Sequence, residues 1–262
     1  MIQPISPLSL DRYELKYLIP YSMVEPISKF VELFCDMDYY SQVSNDRFYE
    51  INSLYLDTPS YYILRSSEYA TGFRFNIRIR SYGTMPKPPY FFEVKYKQRE
   101  FVSKKRGKVE SDNWPQLFEP DADLSSYINN SGVRDFIKSV WTYNLSPVIL
   151  TQYRRKAYIS NVDDYARVTF DKDLVYQPMT DWCVKPDAKL LTSYDEPEMF
   201  KRPGQNVVLE LKCEKKIPIW MIDLIKTFQL EQSGFSKFRY SMQMQQKSLG
   251  IFGEYSGLTT SF

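Results

Sequence analysis

Apolar and polar residues alternate along much of this chain, a pattern typical of β-strands whose two faces have different surroundings. Eight such segments are rich in Tyr, Phe, Val and Ile. They span residues 11–19, 49–57, 73–82, 90–98, 100–109, 147–160, 165–173 and 206–213. Turn-forming residues separate two pairs of them, at 83–89 (GTMPKPP) and 161–164 (NVDD). Hairpin connections of this kind predict an antiparallel sheet.

Three further segments have the spacing of amphipathic helices. In the first, Ser22 and Glu25 form a capping-box pattern. Its apolar stripe consists of Val24, Ile27, Val31 and Phe34, and the stripe of the second helix consists of Val133, Phe136, Ile137 and Val140. The third segment, IPIWMIDLIKTFQL, opens at Pro218 and ends before Gly234. Because it is apolar on most of its circumference, we expect it to be buried against the sheet.

The polar face of the predicted sheet is unusually rich in charge. On six strands the residues that alternate with apolar ones are mostly ionisable. They include Arg12, Glu14, Lys16, Arg74, Arg78, Arg80, Glu93, Lys95, Lys97, Arg155, Arg167, Asp171, Glu210 and Lys212. One interpretation is a solvated face laced with cross-strand ion pairs. The other, which we favour because solvated faces usually mix in Ser, Thr, Gln and Asn, is a closed barrel with a charged interior.

A charged interior of this kind needs an anionic partner. Crowded cations repel each other strongly at low effective dielectric, and a chain of phosphates placed among them would remove that repulsion. Arginine grips phosphate oxygens with two parallel hydrogen bonds. The interleaved carboxylates Glu14, Glu93 and Glu210 are candidate ligands of Mg²⁺ or Mn²⁺, or else partners of the neighbouring cations.

Composition removes most familiar catalytic centres. The chain has 262 residues, 34 Lys and Arg against 32 Asp and Glu, and no histidine. Histidine-dependent triads and zinc sites are therefore excluded. Three cysteines without a CxxC pair argue against a disulfide framework, and the glycines form neither GxGxxG nor GxxxxGK. With no export signal and no apolar run long enough to span a bilayer, we expect a cytoplasmic location.

An ordered set of motifs resembles a known family. The set is RYELKY (12–17), SLYLDT (53–58), FRFNIRIRSY (73–82), FFEVKYK (91–97), SKKR (103–106), QYRRKAY (152–158), ARVTFD (166–171) and VVLELK (207–212). In this order they resemble the VTC domain, the polyphosphate polymerase domain of the vacuolar transporter chaperone complex. That domain belongs to the triphosphate tunnel metalloenzymes, which also include the CYTH group. The resemblance covers about residues 10–245.

The resemblance implies an α+β fold: a closed, antiparallel, eight-stranded barrel forming a tunnel, with helices packed outside and a C-terminal helix near one tunnel end. We expect residues 1–262 to form one such domain. Phosphate transfer is assigned by the resemblance to Arg78, Arg80, Lys95 and Arg155, together with the metal-binding Glu210. It also assigns substrate binding to Lys16, Lys104, Arg106, Tyr153 and Lys237, the last in SGFSKFRYS (233–241), which follows the C-terminal helix in such domains.

Strand alternation adds further candidates for each role. For substrate binding these are Arg12, Arg74, Lys97, Arg167 and Lys212, and for metal binding they are Glu14 and Glu93 beside Glu210. The expected metal is Mn²⁺ or Mg²⁺. Arg12 stands where the first Glu of the CYTH motif ExExK would be, as in VTC-type sequences, which makes plain triphosphatase activity less favoured.

We therefore expect ATP-dependent extension of polyphosphate or pyrophosphate. The alternatives are an inorganic or nucleoside triphosphatase of the same fold, and a non-catalytic polyanion-binding module. Nucleic acid is not an expected partner, because the cations alternate inward along strands instead of forming an exposed patch. Neither a phosphate-sensing SPX domain nor membrane helices are recognisable, so the chain resembles a free-standing, bacterial-type domain. Any coupling to a membrane would need a separate partner.

Overall fold

An antiparallel sheet forms the centre of the fold. The computed structural model describes residues 12–69, 72–98, 101–127, 129–194, 205–214 and 216–250. The strands are β1 (Arg12–Pro20), β2 (Cys35–Met37), β3 (Tyr49–Asp57), β4 (Phe73–Tyr82), β5 (Tyr90–Gln98), β6 (Phe101–Val109), β7 (Ser146–Ser160), β8 (Ala166–Pro178), β9 (Thr192–Ser193) and β10 (Gln205–Glu214). Eight of them follow the order β1-β10-β8-β7-β3-β4-β5-β6, while β2 and β9 flank β7 and β8.

Helices cover the sheet. They are α1 (Val24–Val31), α2 (Tyr39–Val43), α3 (Tyr62–Glu68), α4 (Ser131–Tyr143), α5 (Ile219–Thr227) and α6 (Lys237–Ser248). The predicted α+β class and the eight predicted strands are confirmed. The largest difference is in β8, which continues to Pro178, five residues past its predicted end. Sequence patterning missed α2, α3 and α6.

The predicted start of the first helix was wrong. Ser22 lies in a 3₁₀ turn, Tyr21–Met23, and α1 begins without a side-chain cap. A serine within a turn lacks the extended backbone that an N-cap residue needs. The helix ends at Val31, so Phe34 follows it and stacks on Trp220 with ring centroids 5.4 Å apart.

Helix α5 is less buried than predicted. Trp220, Met221 and Leu224 are buried, but Ile219 is 77% exposed and Ile222 is 38% exposed. The helix ends at Thr227, three residues before the predicted segment ends. Only one face of α5 packs on α1 and the sheet, so its apolar circumference is not fully used.

The outward face of the sheet is apolar. Under α4, Phe92 packs on Phe136 with ring centroids 4.7 Å apart. Helix α4 lies against β6 at a backbone contact between Gly132 and Gly107, where a Cβ atom on either glycine would come within 2.5 Å of the other strand or helix. A second apolar cluster packs α1 and α5 against β1, β8 and β10.

The sheet curls strongly enough for side chains of β5 and β1 to meet. Lys95 on β5 lies 2.6 Å from Glu14 on β1, although these strands are far apart in the sheet order. The outer edge of β1 is covered by the chain before α6, because Tyr17 bridges Gln232 and the Lys16 carbonyl accepts from Ser233 N–H. Within the described residues no ladder joins β1 to β6. The eight-stranded sheet is therefore strongly curled, and the closed barrel predicted from the sequence is not confirmed. None of the described helices has the length and apolar character that crossing a membrane requires.

Candidate functional site

The predicted charged residues share the concave face of the sheet. Residues opposite each other in an antiparallel ladder point to the same side. The ladders pair Arg78 with Glu93, Glu93 with Arg106, Lys16 with Glu210, Glu14 with Lys212, and Arg155 with Asp171. For Arg78, Glu93, Lys16 and Glu210 the neighbours one residue along each strand are outward apolar residues, whereas Arg155 is flanked by Arg154 and Lys156. The alternation argument thus placed these side chains on the correct face.

Glu93 is the centre of one cluster. It is 2% exposed, and its carboxylate lies 2.8 Å from Arg78, 2.6 Å from Lys104 and 3.4 Å from Arg106. Arg80 lies 3.9 Å away. Burial alone would raise the pKa of Glu93, but Arg80, Arg78 and Lys104 outweigh burial and hold it well below its ordinary value. In this cluster, which spans β4, β5 and β6, one carboxylate therefore lies among four cations.

Glu14 and Glu210 form a second cluster on β1 and β10. Both carboxylates contact Lys16, at 3.5 and 3.6 Å, and both contact Lys212, at 3.9 and 3.0 Å. Burial would raise the pKa of Glu210, but Lys212 and Lys16 hold it well below its ordinary value. Glu14 also accepts a hydrogen bond from Lys95. Two carboxylates therefore share the same pair of lysines.

Asp171 on β8 centres a third cluster. It is fully buried and accepts two hydrogen bonds from Arg155, at 2.6 and 2.7 Å, and one from Lys237, at 2.6 Å. Burial opposes ionisation, but Arg155 and Lys237 lower the pKa of Asp171 to about 2. Lys237 also lies 4.5 Å from the ring centroid of Tyr153, and Arg155 lies 5.4 Å from it. The predicted group of Tyr153, Arg155 and Lys237 is thus brought together.

The segment containing Lys237 was misread in one respect. It does not follow the final helix but begins one, since Lys237 is the first residue of α6. Ser236 caps this helix, and Phe238 stacks on Tyr55 with ring centroids 5.1 Å apart. The sequence did not predict this helix, because the mixed polar residues after the serine cap leave only a weak apolar stripe. The helix packs against β7 and β8.

Other predicted residues lie at the edges of the concave face. Arg167 contacts Asp38, the N-cap residue of α2, at 3.1 Å. Arg74 and Lys97 are directly opposite each other in the β4–β5 ladder. Arg12 lies at the start of β1, and its side chain falls outside the described part of the chain.

Sequence patterning overlooked several polar groups of this face. Asp171 was seen as part of the alternation but given no role. Tyr55 accepts a hydrogen bond from Arg78 at 3.0 Å. Burial would raise the pKa of Tyr55, but Arg78 and Arg80 lower it below its ordinary value. Inward-facing Ser53 and Thr151 also lie beside the arginines, and a register deduced from the hairpins could have identified all of these residues.

Among the buried polar atoms on this face that have no hydrogen-bond partner in the described residues are Arg80 Nε, Ser53 Oγ and Thr151 Oγ1. Ser53 is opposite both Arg80 and Thr151 in its two ladders. Buried donors without partners are costly, so such a group is suited to a ligand that accepts hydrogen bonds.

The carboxylates can hold a divalent metal only with help from a ligand. Among the described residues no three acidic, cysteine or histidine side chains form a metal-binding group. Glu93 therefore does not form one metal-binding group with Glu14 and Glu210. Mg²⁺ and Mn²⁺ accept one or two carboxylates when substrate phosphates and water fill the remaining positions. The Glu14 and Glu210 pair fits that requirement, because the two carboxylates share Lys16 and Lys212 and so lie close together, whereas Glu93 belongs to a separate cluster.

Comparison with known families identifies the family of this chain. The chain matches the VTC domain over residues 11–245. This protein belongs to the VTC domain family. The match includes all ten strands and all the concave-face residues discussed above. The resemblance deduced from the motifs is confirmed.

Several solved structures are similar to this chain at low sequence identity. The PH1819 protein of Pyrococcus horikoshii OT3 is 11% identical, with a TM-score of 0.46, and the match covers 90% of this chain and 99% of that one. A candidate adenylate cyclase from Bacillus halodurans is 11% identical, with a TM-score of 0.47, covering 85% and 92%. Another from Vibrio parahaemolyticus is 9% identical, with a TM-score of 0.44, covering 88% and 97%. A search of curated proteins gives no match.

Proposed function

We propose that this VTC domain transfers the γ-phosphate of ATP to a growing polyphosphate chain bound on the concave face. One observation carries the proposal. On the concave face, cations lie directly opposite cations in three ladder pairs: Arg74 with Lys97, Lys95 with Lys104, and Arg167 with Lys212. Like charges directly opposite each other destabilise a sheet. A solvated face stabilised by ion pairs would not need such pairs, whereas a polyanion-binding face would.

The chemistry requires no histidine. The terminal oxygen of the polyphosphate chain is already anionic, so it attacks the γ-phosphorus without a general base. A new P–O–P bond forms, the bond between the β–γ bridging oxygen and the γ-phosphorus breaks, and ADP leaves with that oxygen. Catalysis then consists of positioning and neutralising the phosphates in a loose transition state. Arg78, Arg80, Lys95 and Arg155 provide that charge, and Arg80 Nε is a donor without another partner.

Mn²⁺ or Mg²⁺ would be held by Glu14 and Glu210, as their shared position on β1 and β10 favours. When bound, such an ion neutralises phosphate charge and helps align the reacting groups. Lys16 and Lys212 already contact both carboxylates and would turn toward phosphate oxygens. Glu93 would remain with Arg78 and Lys104, keeping these cations in place between turnovers.

Hydrolysis is the competing reaction of this site. It needs a base to activate water, and Glu14 was the candidate. Glu14 contacts Lys95 at 2.6 Å and Lys16 at 3.5 Å. Both carboxylate oxygens are thus engaged by ammonium groups instead of orienting a water molecule, so the contacts favour transfer over hydrolysis. A binding module without catalysis would have no use for the Glu14 and Glu210 pair.

The test is product analysis with purified protein. Incubation with ATP, a short polyphosphate primer and Mn²⁺ or Mg²⁺ should give ADP and long polyphosphate on a gel. Arg78→Ala and Glu210→Gln should each abolish the product, and circular dichroism should show that both variants fold. Lys105→Ala is the matched control, because Lys105 points outward and pairs with Asp135. Orthophosphate as the main product would indicate a hydrolase, and binding without turnover would indicate a binding module.

A further inference from the structure

A row of aromatic rings leads from the basic face to the protein surface. Tyr82, at the end of β4, lies 5.6 Å from Phe91 on β5 and 5.7 Å from Tyr40 on α2, measured between ring centroids. Tyr40 and Tyr82 are nearly parallel, with 6° between their planes. Tyr39 continues the row at 5.8 Å from Tyr40. We call these four residues, Tyr39, Tyr40, Tyr82 and Phe91, the aromatic row.

Arg106 joins this row to the Glu93 cluster. Its guanidinium lies 3.7 Å from the ring centroid of Phe91 and donates a hydrogen bond to the Tyr82 hydroxyl at 3.2 Å. The same guanidinium lies 3.4 Å from Glu93. A ligand with an anionic part on the cluster would therefore have its next atoms beside Tyr82 and Phe91.

Exposure increases along the aromatic row. Tyr82 and Phe91 are half-buried, whereas Tyr40 is 51% exposed and Tyr39 is 70% exposed. Packing of α2 onto the sheet, where Tyr40 also lies 5.5 Å from Tyr49, accounts for the inner rings but not for the exposure of the outer two. Exposed tyrosine rings beside a basic face are a common platform for stacked bases.

We propose that the aromatic row binds the nucleobase of a nucleoside triphosphate whose phosphates lie on Arg78, Arg80 and Arg106. This inference rests on the proposed function. It adds a binding site for the nucleobase of the phosphate donor, which the cations of the basic face do not explain. An inorganic phosphate chain has no apolar surface for these rings to contact, whereas a nucleotide has one anionic end and one aromatic end. Stacking tolerates different bases, so ATP and GTP should bind with similar affinity.

Calorimetric titration can separate the two parts of the ligand. The probes are the β,γ-imido analogue of ATP, which is not turned over, and inorganic tripolyphosphate, each with Mg²⁺. Tyr40→Ala should weaken binding of the analogue about fivefold or more while leaving tripolyphosphate affinity within about twofold. Tyr40→Phe keeps the ring and should bind both ligands like the wild type. Tyr69→Ala, at an exposed tyrosine after α3, is the matched control.

The outcomes distinguish this inference from the proposed function. Equal weakening of both ligands by Tyr40→Ala, or unchanged affinity for the analogue, would overturn the stacking site while the phosphate site stands. If the wild type binds neither ligand, the proposed function fails and the stacking site fails with it. Tight analogue binding that Tyr40→Ala weakens, in a protein that makes no polyphosphate, would support the stacking site and reject the polymerase.

Discussion

Lys95 Nζ lies 2.6 Å from Glu14 Oε2, so one ion pair connects β5 to β1 across the curled sheet. The side chains are 41% and 29% exposed, and partly exposed pairs of this kind contribute only about 0–1 kcal/mol to stability. The ion pair therefore does little to explain why residue 95 is a lysine. The location of Lys95 among other inward-facing cations explains it better.

Replacing Lys95 should affect binding far more than folding. We expect Lys95→Met to change the free energy of unfolding by less than about 1 kcal/mol, because it removes only a partly exposed ion pair. Affinity for tripolyphosphate should fall about tenfold, as expected for loss of one charge-assisted hydrogen bond. Urea unfolding and calorimetric titration measure the two effects. A variant that loses several kcal/mol but binds normally would show that Lys95 is structural.

Lys104 should make ligand binding sensitive to alkaline pH. Burial, with a contribution from Arg78 and Arg80, lowers the pKa of Lys104 to about 8 despite the opposing effect of Glu93. Lys104 in the free protein therefore loses its proton as the pH rises through 8, and its attraction for phosphate is lost with it. Affinity for tripolyphosphate should fall over that range, and binding above pH 8 should take up protons.

Lys104→Arg is the control for this titration, since arginine keeps its charge. The variant should show a flatter pH profile and less proton uptake, measured by calorimetry in buffers of different ionisation enthalpy. Protonation of the ligand itself is common to both proteins and cancels in the comparison. Identical profiles for the two proteins would rule out Lys104 as the titrating group.

Asp171 should control stability at acidic pH. Its pKa of about 2 lies below the ordinary value of 3.8, so its ionised form stabilises the fold above the ordinary pKa. That contribution is lost as the pH falls toward 2. Asp171→Asn leaves Arg155 and Lys237 without their buried carboxylate and should cost about 3–5 kcal/mol at neutral pH. Urea unfolding should show the deficit shrinking as the pH is lowered from 5 toward 2.

Asp135→Asn is the matched control for that prediction. Asp135 pairs with Lys105 at 2.7 Å on the outer surface, so its loss should cost no more than about 1 kcal/mol. Tripolyphosphate should also restore part of the stability lost in Asp171→Asn, because it supplies negative charge to the same two cations. An Asp171→Asn protein as stable as the control variant would contradict the role given to this carboxylate.

The contact between α4 and β6 should tolerate no extra methyl group. A Cβ atom on Gly107 would lie 2.4 Å from the Val133 backbone nitrogen, and one on Gly132 would lie 2.3 Å from the Arg106 carbonyl oxygen. Gly107→Ala should therefore destabilise the protein by about 1–3 kcal/mol. Gly72→Ala is the control, since nothing lies within 4 Å of a Cβ there. Equal thermal unfolding temperatures for the two variants would refute the contact.

Strand alternation was enough to identify the charged face, because a period of two fixes which residues share a side. It could not show which carboxylate neutralises which cation. Asp171 and Lys237 are 66 positions apart and meet only because α6 packs against β7 and β8. The capping box at Ser22 failed for a related reason, since a 3₁₀ turn after Pro20 moved the start of the helix. Short-range patterns specify the face on which a residue lies, whereas long-range packing decides its partners.

Strand β6 forms one side of the basic face and also an end of the sheet. Its only ladder partner in the described part of the chain is β5. The strand carries Lys104, Lys105, Arg106 and Lys108. Charged residues, lysine above all, discourage a free strand edge from pairing with the edge of another molecule. The cations of β6 therefore protect the protein against aggregation, in addition to any contact that they make with phosphate. Neutralising several of them at once would leave a strand edge to which other molecules could add strands.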